Sequence, residues 1–361
     1  MYESTNEDDY TFFDVKVELS PFQVFRRKYD PKPLPDFLKQ RVIPSRSPEQ
    51  VKARLEKACE VLARNPHILD ERNNMGETPL IASILNGEKE LVRLLLEHGA
   101  DPNKLGRVKG ELIDRSPLEI AINYNGNAVI VSTLLEHGAD PYHRDNAGQT
   151  FLMLAALGCY SVDPPPDPEA DPEANFRGIL ELIPDVNQRS STGNTALHYV
   201  RFPAFIPMLC TRGADLNVHG SQGKTPLHRY VEEALVLVET FLPFGPEVNV
   251  RDEDGATPLH YVSFNYDSLK ATDIVRLLLA VGADPNSQDN LERTPLHLAV
   301  DSLHREAVRQ LVEAGAELNV RDKEGHTPLK MLEGDKSNYD WWPGPWEEEI
   351  EDFLRSAGAH L

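Results

Sequence analysis

Between Thr294 and His326 the apolar residues come in two short bursts. Leu296, Ala299, Val300 and Leu303 recur at i, i+3, i+4 and i+7, which predicts a helix with one apolar face. Val308, Leu311 and Val312 repeat the spacing and predict a second short helix. Polar and special residues punctuate both. Thr294 suits an N-cap, where its hydroxyl can accept from a first-turn N–H, and Pro295 follows at the position where a missing N–H costs nothing. Gly315 predicts a left-handed C-cap, and Arg321-Asp322-Lys323-Glu324-Gly325 predicts a polar turn. Thr327-Pro328-Leu329 then starts the pattern again. Helices this short are not stable alone in water, so each must bury its stripe on a neighbouring unit.

The same frame runs back through the chain. Thr78, Ser116, Thr150, Thr195, Thr225, Thr257, Thr294 and Thr327 are successive anchors, with gaps of 38, 34, 45, 30, 32, 37 and 33 residues. A second landmark, Gly-Ala-Asp/Glu, stays in phase with them at Gly99, Gly138, Gly213, Gly282 and Gly315. Units depart from the pattern at Phe151-Leu152 and at Phe244-Gly245-Pro246-Glu247. With Thr294-Pro295-Leu296-His297-Leu298-Ala299, Leu311-Val312, Gly315-Ala316 and a spacing of 33, the clearest unit resembles an ankyrin repeat. The resemblance implies an all-α ankyrin-repeat solenoid of helix-turn-helix units joined by β-hairpin-like turns.

Residues 49–361 are expected to form the repeat domain, with a capping half-repeat over 49–75 and about eight repeats at the anchors. Val51, Leu55, Ala58, Cys59 and Leu62 place the cap on a helix from Glu49 to Arg64. Residues 1–48 stand outside the frame as a partly disordered arm. It has an acidic tip and prolines at 31, 33 and 35, and it could carry a short linear motif with Phe12, Phe13, Phe22 and Phe25 as anchors. Val162–Glu173, alternating proline and acid, is expected to be a solvated loop. The last unit is interrupted by Trp341-Trp342-Pro343-Gly344-Pro345-Trp346, which would either seal the core or contact a partner.

A net charge of −21 disfavours nucleic acid and anionic membranes and favours basic partners. Cys59, Cys159 and Cys210 are scattered, with neither a disulfide framework nor metal-ligand spacing. The start lacks an apolar leader and no run is long enough to span a membrane, so a monomer in the cytoplasm or nucleus is expected.

Chemistry finds little support. His198, His228, His260 and His297 follow the repeat rather than forming a cluster. In the resembled family this histidine bonds backbone within and between repeats. His98 and His137 sit at helix C-termini, where a cation is favoured. Phosphate-loop, Gly-x-Ser-x-Gly, His-Glu-x-x-His and Cys-x-x-Cys patterns are absent, so no catalytic, metal or cofactor role is expected. Asn103, Asn217, Asn286 and Asn319 each follow a leucine by eight residues, a spacing similar to asparaginyl hydroxylation sites in ankyrin repeats.

The remaining function is binding. The resemblance implies a concave face built from turn tips and inner helices. By repeat position it includes Met75, Glu77, Phe202, Lys224, Glu232, Glu233, Asp254, Phe264, Asn265, Arg293 and Asp301. Phe202 and Phe264 flank the acidic pair Glu232 and Glu233, which suits a partner protein with basic and apolar contact residues. The expected role is a non-catalytic scaffold or adaptor. The alternatives are the substrate-recognition subunit of an enzyme complex, such as a ubiquitin ligase, and an accessory protein of a metabolic pathway.

Overall fold

The computed structural model describes residues 48–64, 66–73, 75–108, 113–122, 128–145, 147–157, 172–183, 185–264, 268–332 and 345–361. Residues 1–47 of the arm, residues 162–171 of the acidic proline loop, Cys159, Trp341 and Trp342 lie outside them, whereas Pro172 and Glu173, expected in that loop, begin a helix. The described residues divide into two compact units, one over 48–145 and 150–183, the other over 147–149 and 185–361.

The first unit starts with α1 (Pro48–Arg64) and a short turn of 3-10 helix at Pro66–Asp70. There follow α2 (Pro79–Leu85), α3 (Lys89–Glu97), α4 (Pro117–Ile120), α5 (Ala128–Glu136), α6 (Phe151–Leu157) and α7 (Pro172–Leu182). Two rows result. The 3-10 turn, α2, α4 and α6 stack in order as inner elements, and α1, α3, α5 and α7 stack behind them. Apolar residues on facing sides, Ile81, Ile84, Val92, Leu95, Leu118, Ile130 and Leu134 among them, form a core that grows along the stack.

The second unit repeats the plan. A 3-10 turn at Ala196–Tyr199, α9 (Pro226–Glu233), α11 (Pro258–Ser263), α13 (Pro295–Asp301) and α15 (Pro328–Met331) form the inner row. The outer row is α8 (Phe205–Thr211), α10 (Leu235–Phe241), α12 (Ser268–Ala280), α14 (Arg305–Glu313) and α16 (Pro345–Ser356). Neighbouring tips are joined by backbone hydrogen bonds, Glu253 N–H to Gln222 O (3.0 Å), Asn290 N–H to Asp254 O (2.8 Å) and Lys323 N–H to Leu291 O (3.0 Å).

Two further local expectations need correction, and one loop carries a ladder. Leu303 is not the fourth member of a helical stripe. α13 ends at Asp301, and Leu303 has φ +54° in the turn, where the equivalent Gly87 has +68°. The inner element after Thr195 is a single 3-10 turn. Pro203 has no N–H to continue a helix, and it disfavours helical backbone at Phe202 before it. The segment between Lys104 and Arg115 carries a short antiparallel ladder, β1 (Gly106–Arg107) with β2 (Asp114–Arg115). Arg72 holds it down through Asp114 (2.7 Å) and the Leu105 carbonyl (2.7 Å). A Cβ at Gly106 would press on Cδ1 of the fully buried Ile81, which favours glycine there.

One tip position usually held by glycine carries a side chain instead. Gly255 N–H bonds Asp252 O and Gly325 N–H bonds Asp322 O, both glycines with positive φ. Glu292 makes the same bond to Asp289 O with φ +59°. A Cβ in this left-handed region costs about 1 kcal/mol, and the Glu292 side chain is exposed. Glu292→Gly is therefore expected to stabilise the second unit by roughly 0.5–1 kcal/mol in urea unfolding. A destabilised variant would show that the glutamate side chain contributes more than its backbone costs.

Candidate functional site

In the second unit each of the first four inner elements is tied to the next tip by one histidine. Thr195, Thr225, Thr257 and Thr294 donate their backbone N–H to Nδ1 of His198, His228, His260 and His297 at 3.0, 3.1, 3.1 and 3.0 Å. Nδ1 must accept, so the proton sits on Nε2. Nε2–H donates to the carbonyls of Lys224, Ala256, Arg293 and His326, each one residue before the next anchor. Burial disfavours the imidazolium and lowers the pKa of all four, to about 4 at His198 and His228. These histidines are structural. The first unit has Ile81, Glu119 and Met153 in their place. Only Glu119 closes a capping box there, with Ser116. Burial raises the Glu119 pKa.

Asparagines make a second set of ties. Asn103, Asn187, Asn249 and Asn286 each donate Nδ2–H to the glycine carbonyl that ends the next outer helix (2.9–3.1 Å). Their Oδ1 atoms accept from the N–H of Asp140, Asp215, Asp284 and Glu317. Asn217 and Asn319 accept likewise from Glu247 and His360. The leucine spacing picks out Asn103, Asn217, Asn286 and Asn319 but not Asn187 or Asn249.

The residues expected to bind a partner have unequal environments. Met75 is half-buried at its tip. Glu77 is a correction: it is 0% exposed, with Asn73 Nδ2–H donating to its Oε2 at 2.8 Å. Its carboxylate shapes the tip from inside. Lys224 is also turned in. Its Nζ bonds Glu232 Oε1 at 3.1 Å and lies 4.1 Å above the Tyr261 ring, leaving the side chain 14% exposed. Arg293 is held on Asp289 at 2.8 Å. Asn265 lies outside the described residues.

The second unit brings the rest to its tip-and-inner-helix face. Phe202 is 37% exposed with its ring 5.3 Å from Phe205, and Phe264 is 45% exposed. Glu232 and Glu233 are exposed, but Lys224 and Arg229 (3.5 Å) offset part of their charge. Asp254 and Asp301 are exposed, and among the described residues no cation lies within ion-pair distance of either.

Sequence reasoning passed over Tyr261, whose hydroxyl donates to Asp252 Oδ2 at 2.6 Å, and the tip carboxylates Asp252 and Asp289. A signal for them exists. Asn73, Ser190, Asp252, Asp289 and Asp322 all stand five residues before an anchor, where a short polar side chain accepts tip N–H groups. Among the described residues no group of three or more His, Cys, Asp or Glu is placed to hold a metal. No described helix is long and apolar enough to cross a membrane.

Threonine caps, histidine ties and paired short helices define a helical repeat array whose outward residues are spare for contact. Comparison with known proteins gives the family. A model for three copies of the ankyrin repeat matches residues 201–289 and 264–332, and a single-repeat model matches 75–107 and 114–146. Together they cover more than half of the chain, which belongs to the ankyrin-repeat family. Its fold is the all-α ankyrin solenoid, and its repeats constitute a protein–protein interaction domain.

Similar proteins include an ankyrin repeat-containing protein of Schizosaccharomyces pombe, 42% identical over 62 residues (17% of this chain, 30% of the relative). NF-kappa-B inhibitor alpha of Gallus gallus is 40% identical over 72 residues (20% of this chain, 23% of the relative). Intracellular phospholipase A2 of Caenorhabditis elegans is 28% identical over 156 residues (39% of this chain, 15% of the relative). The chain spans less than a third of the length of these relatives.

Proposed function

We propose that this protein is a non-catalytic scaffold or adaptor that holds a partner protein on the tip-and-inner-helix face of its second unit. The observation behind this reading is that Phe202 and Phe264 stay exposed beside Asp254 and Asp301, whose charge no described cation offsets. Exposed aromatics beside exposed carboxylates suit a partner that offers apolar and basic side chains. The reading includes a repeat domain over 49–361 preceded by an arm, in a monomer that binds neither nucleic acid nor membrane. It also places the protein in the cytoplasm or nucleus, in keeping with the unpaired thiols of Cys59 and Cys210.

The test is affinity recovery from a native cell extract with the full chain and with the variant Phe202→Ala/Phe264→Ala/Asp301→Lys. At least one partner is expected to fall by about tenfold or more in the variant, as truncation of aromatic anchors does at other interfaces. All three positions are exposed, so the thermal transition should be little changed. Full retention of every partner by a folded variant would defeat the reading.

A further inference from the structure

The layer begun by Ser116 departs from the histidine ties at two positions at once. In the tied repeats Nδ1 accepts the anchor's N–H and Nε2–H donates to a carbonyl. Glu119 stands at the histidine's position, and its Oε2 accepts the Ser116 N–H at 3.1 Å, as Nδ1 does elsewhere. Its own N–H donates to Ser116 Oγ at 3.2 Å. Oε1 is left in the role of Nε2. Glu119 is only 3% exposed, and among the described residues its Oε1 has no hydrogen-bond partner. A bare carboxylate oxygen cannot donate as Nε2–H does.

A histidine is nonetheless present in this layer. Nε2 of His143 lies 3.9 Å from Oε1. His143 stands seven residues before the next anchor, Thr150, where the tied repeats carry Val218, Val250, Ser287 and Val320. An imidazole has replaced a small side chain in the same layer in which a carboxyl has replaced the imidazole, and the two face each other. Other charges around Glu119 are few. α2 and α6, which flank α4, carry no titratable side chain, and α5 carries only Glu136, exposed at its end. Burial is the largest influence and raises the Glu119 pKa; Asp145 adds to it, while Ser116, His143 and Arg115 act against it.

We propose that Glu119 and His143 form a proton-operated latch, in which one proton held between Oε1 and Nε2 closes the layer between α4 and the residues Asp140 to Arg144. On Oε1 the proton is donated to Nε2; on Nε2 it joins an imidazolium to a carboxylate. In both forms the pair is neutral overall. Raising the pH removes that proton and leaves a buried carboxylate without a compensating charge, which is costly. Because the Glu119 pKa rises on folding, the contribution is complete below its ordinary value of 4.5 and is lost as the pH climbs through the raised one. The segment carrying His143 has other supports. Asn103 Oδ1 accepts the Asp140 N–H at 2.8 Å, and Arg144 bridges to Thr150. Opening the latch therefore loosens one layer and does not unfold the unit.

The test is hydrogen exchange by mass spectrometry on the full chain between about pH 5 and pH 8, corrected for the intrinsic pH dependence of exchange. Protection over Ser116–Ile120 and Asp140–Arg144 is expected to fall about tenfold across that range, the equivalent of about one pKa unit. Glu119→Gln keeps an acceptor for the Ser116 N–H, supplies a fixed donor and carries no charge, so its protection should stay level. Glu119→His recreates the arrangement of the second unit and should reverse the sign, losing protection on acidification. A second readout is the Glu119 carboxyl carbon in 13C NMR, which stands even where a variant fails to fold. It should titrate above the ordinary glutamate range, and higher still in His143→Val, because His143 favours the carboxylate. A pH dependence that survives unchanged in Glu119→Gln would overturn the latch. So would a carboxyl that titrates at its ordinary value or that His143→Val leaves unmoved.

Discussion

Acidification from about pH 7 to pH 4 is expected to open the second unit before the first. The cause is the histidine tie. Protonating His198 or His228 puts a hydrogen on Nδ1, where the N–H of Thr195 or Thr225 already points. It also places a charge where burial disfavours one, so the folded pKa of each falls from 6.5 to about 4. The sign follows from the lowered value. The neutral ring's contribution is complete above the unfolded pKa near 6.5 and is lost as the pH falls towards about 4. Each proton adds a slope of about 1.4 kcal/mol per pH unit, so each of these two histidines forfeits roughly 3 kcal/mol across that window. His260 and His297 shift in the same direction. The combined loss is comparable to the roughly 5–15 kcal/mol that holds a typical domain together. Glu119 works with the opposite sign in the first unit, since its raised pKa favours the folded state when it is protonated. Hydrogen exchange followed by mass spectrometry between about pH 7 and pH 4 should show protection lost first around the four ties. If the His198 and His228 ring signals titrate near their unperturbed value in the folded protein, the mechanism is wrong.

The repeat itself was legible because its signals are local and redundant. Threonine, proline and histidine at the start of an inner helix each have a fixed geometric job, and the glycine ending the outer helix has another. Where a job passes to a different residue, legibility fails. Leu303 and Glu292 occupy left-handed positions that other repeats give to glycine, and nothing in the spacing marks them. The single 3-10 turn after Thr195 needed the effect of Pro203 on its neighbours to be weighed against the repeat frame. For the proposed binding face, repeat position gave a set of residues but not their surroundings. Repeat position alone put Glu77, Lys224 and Arg293 outside, whereas each folds onto a partner that its own repeat or the next one supplies. A carboxylate can point either way from a tip, and only the placement of Asn73 turns Glu77 inward.

Replacing Tyr230 is expected to be the most damaging single change in the second unit. Tyr230 lies on α9, is fully buried, and meets Phe241 of α10 edge-on with ring centres 5.1 Å apart. Its hydroxyl donates to the Leu197 carbonyl at 2.6 Å, so the side chain spans from one inner element to the preceding one. Two substitutions separate these contributions. Tyr230→Phe keeps the packing and removes the donor to a buried carbonyl, at a cost of roughly 1–2 kcal/mol. Tyr230→Ala also empties an aromatic volume between α9, α10 and the Ala196–Tyr199 turn, which raises the cost to about 3–5 kcal/mol. For a unit of this size that lowers the thermal midpoint by roughly 10 °C. The damage should be local, because a repeat is stabilised mainly by its immediate neighbours. Phe202 follows that turn directly, so loosening it should blur one edge of the proposed docking face. Circular dichroism melts of the two variants give the stability ranking, and binding measured well below the midpoint tests the local character. A Tyr230→Ala melt within a few degrees of the parent would mean that the inner row closes over the vacated volume, and that the span from Tyr230 to Leu197 contributes little.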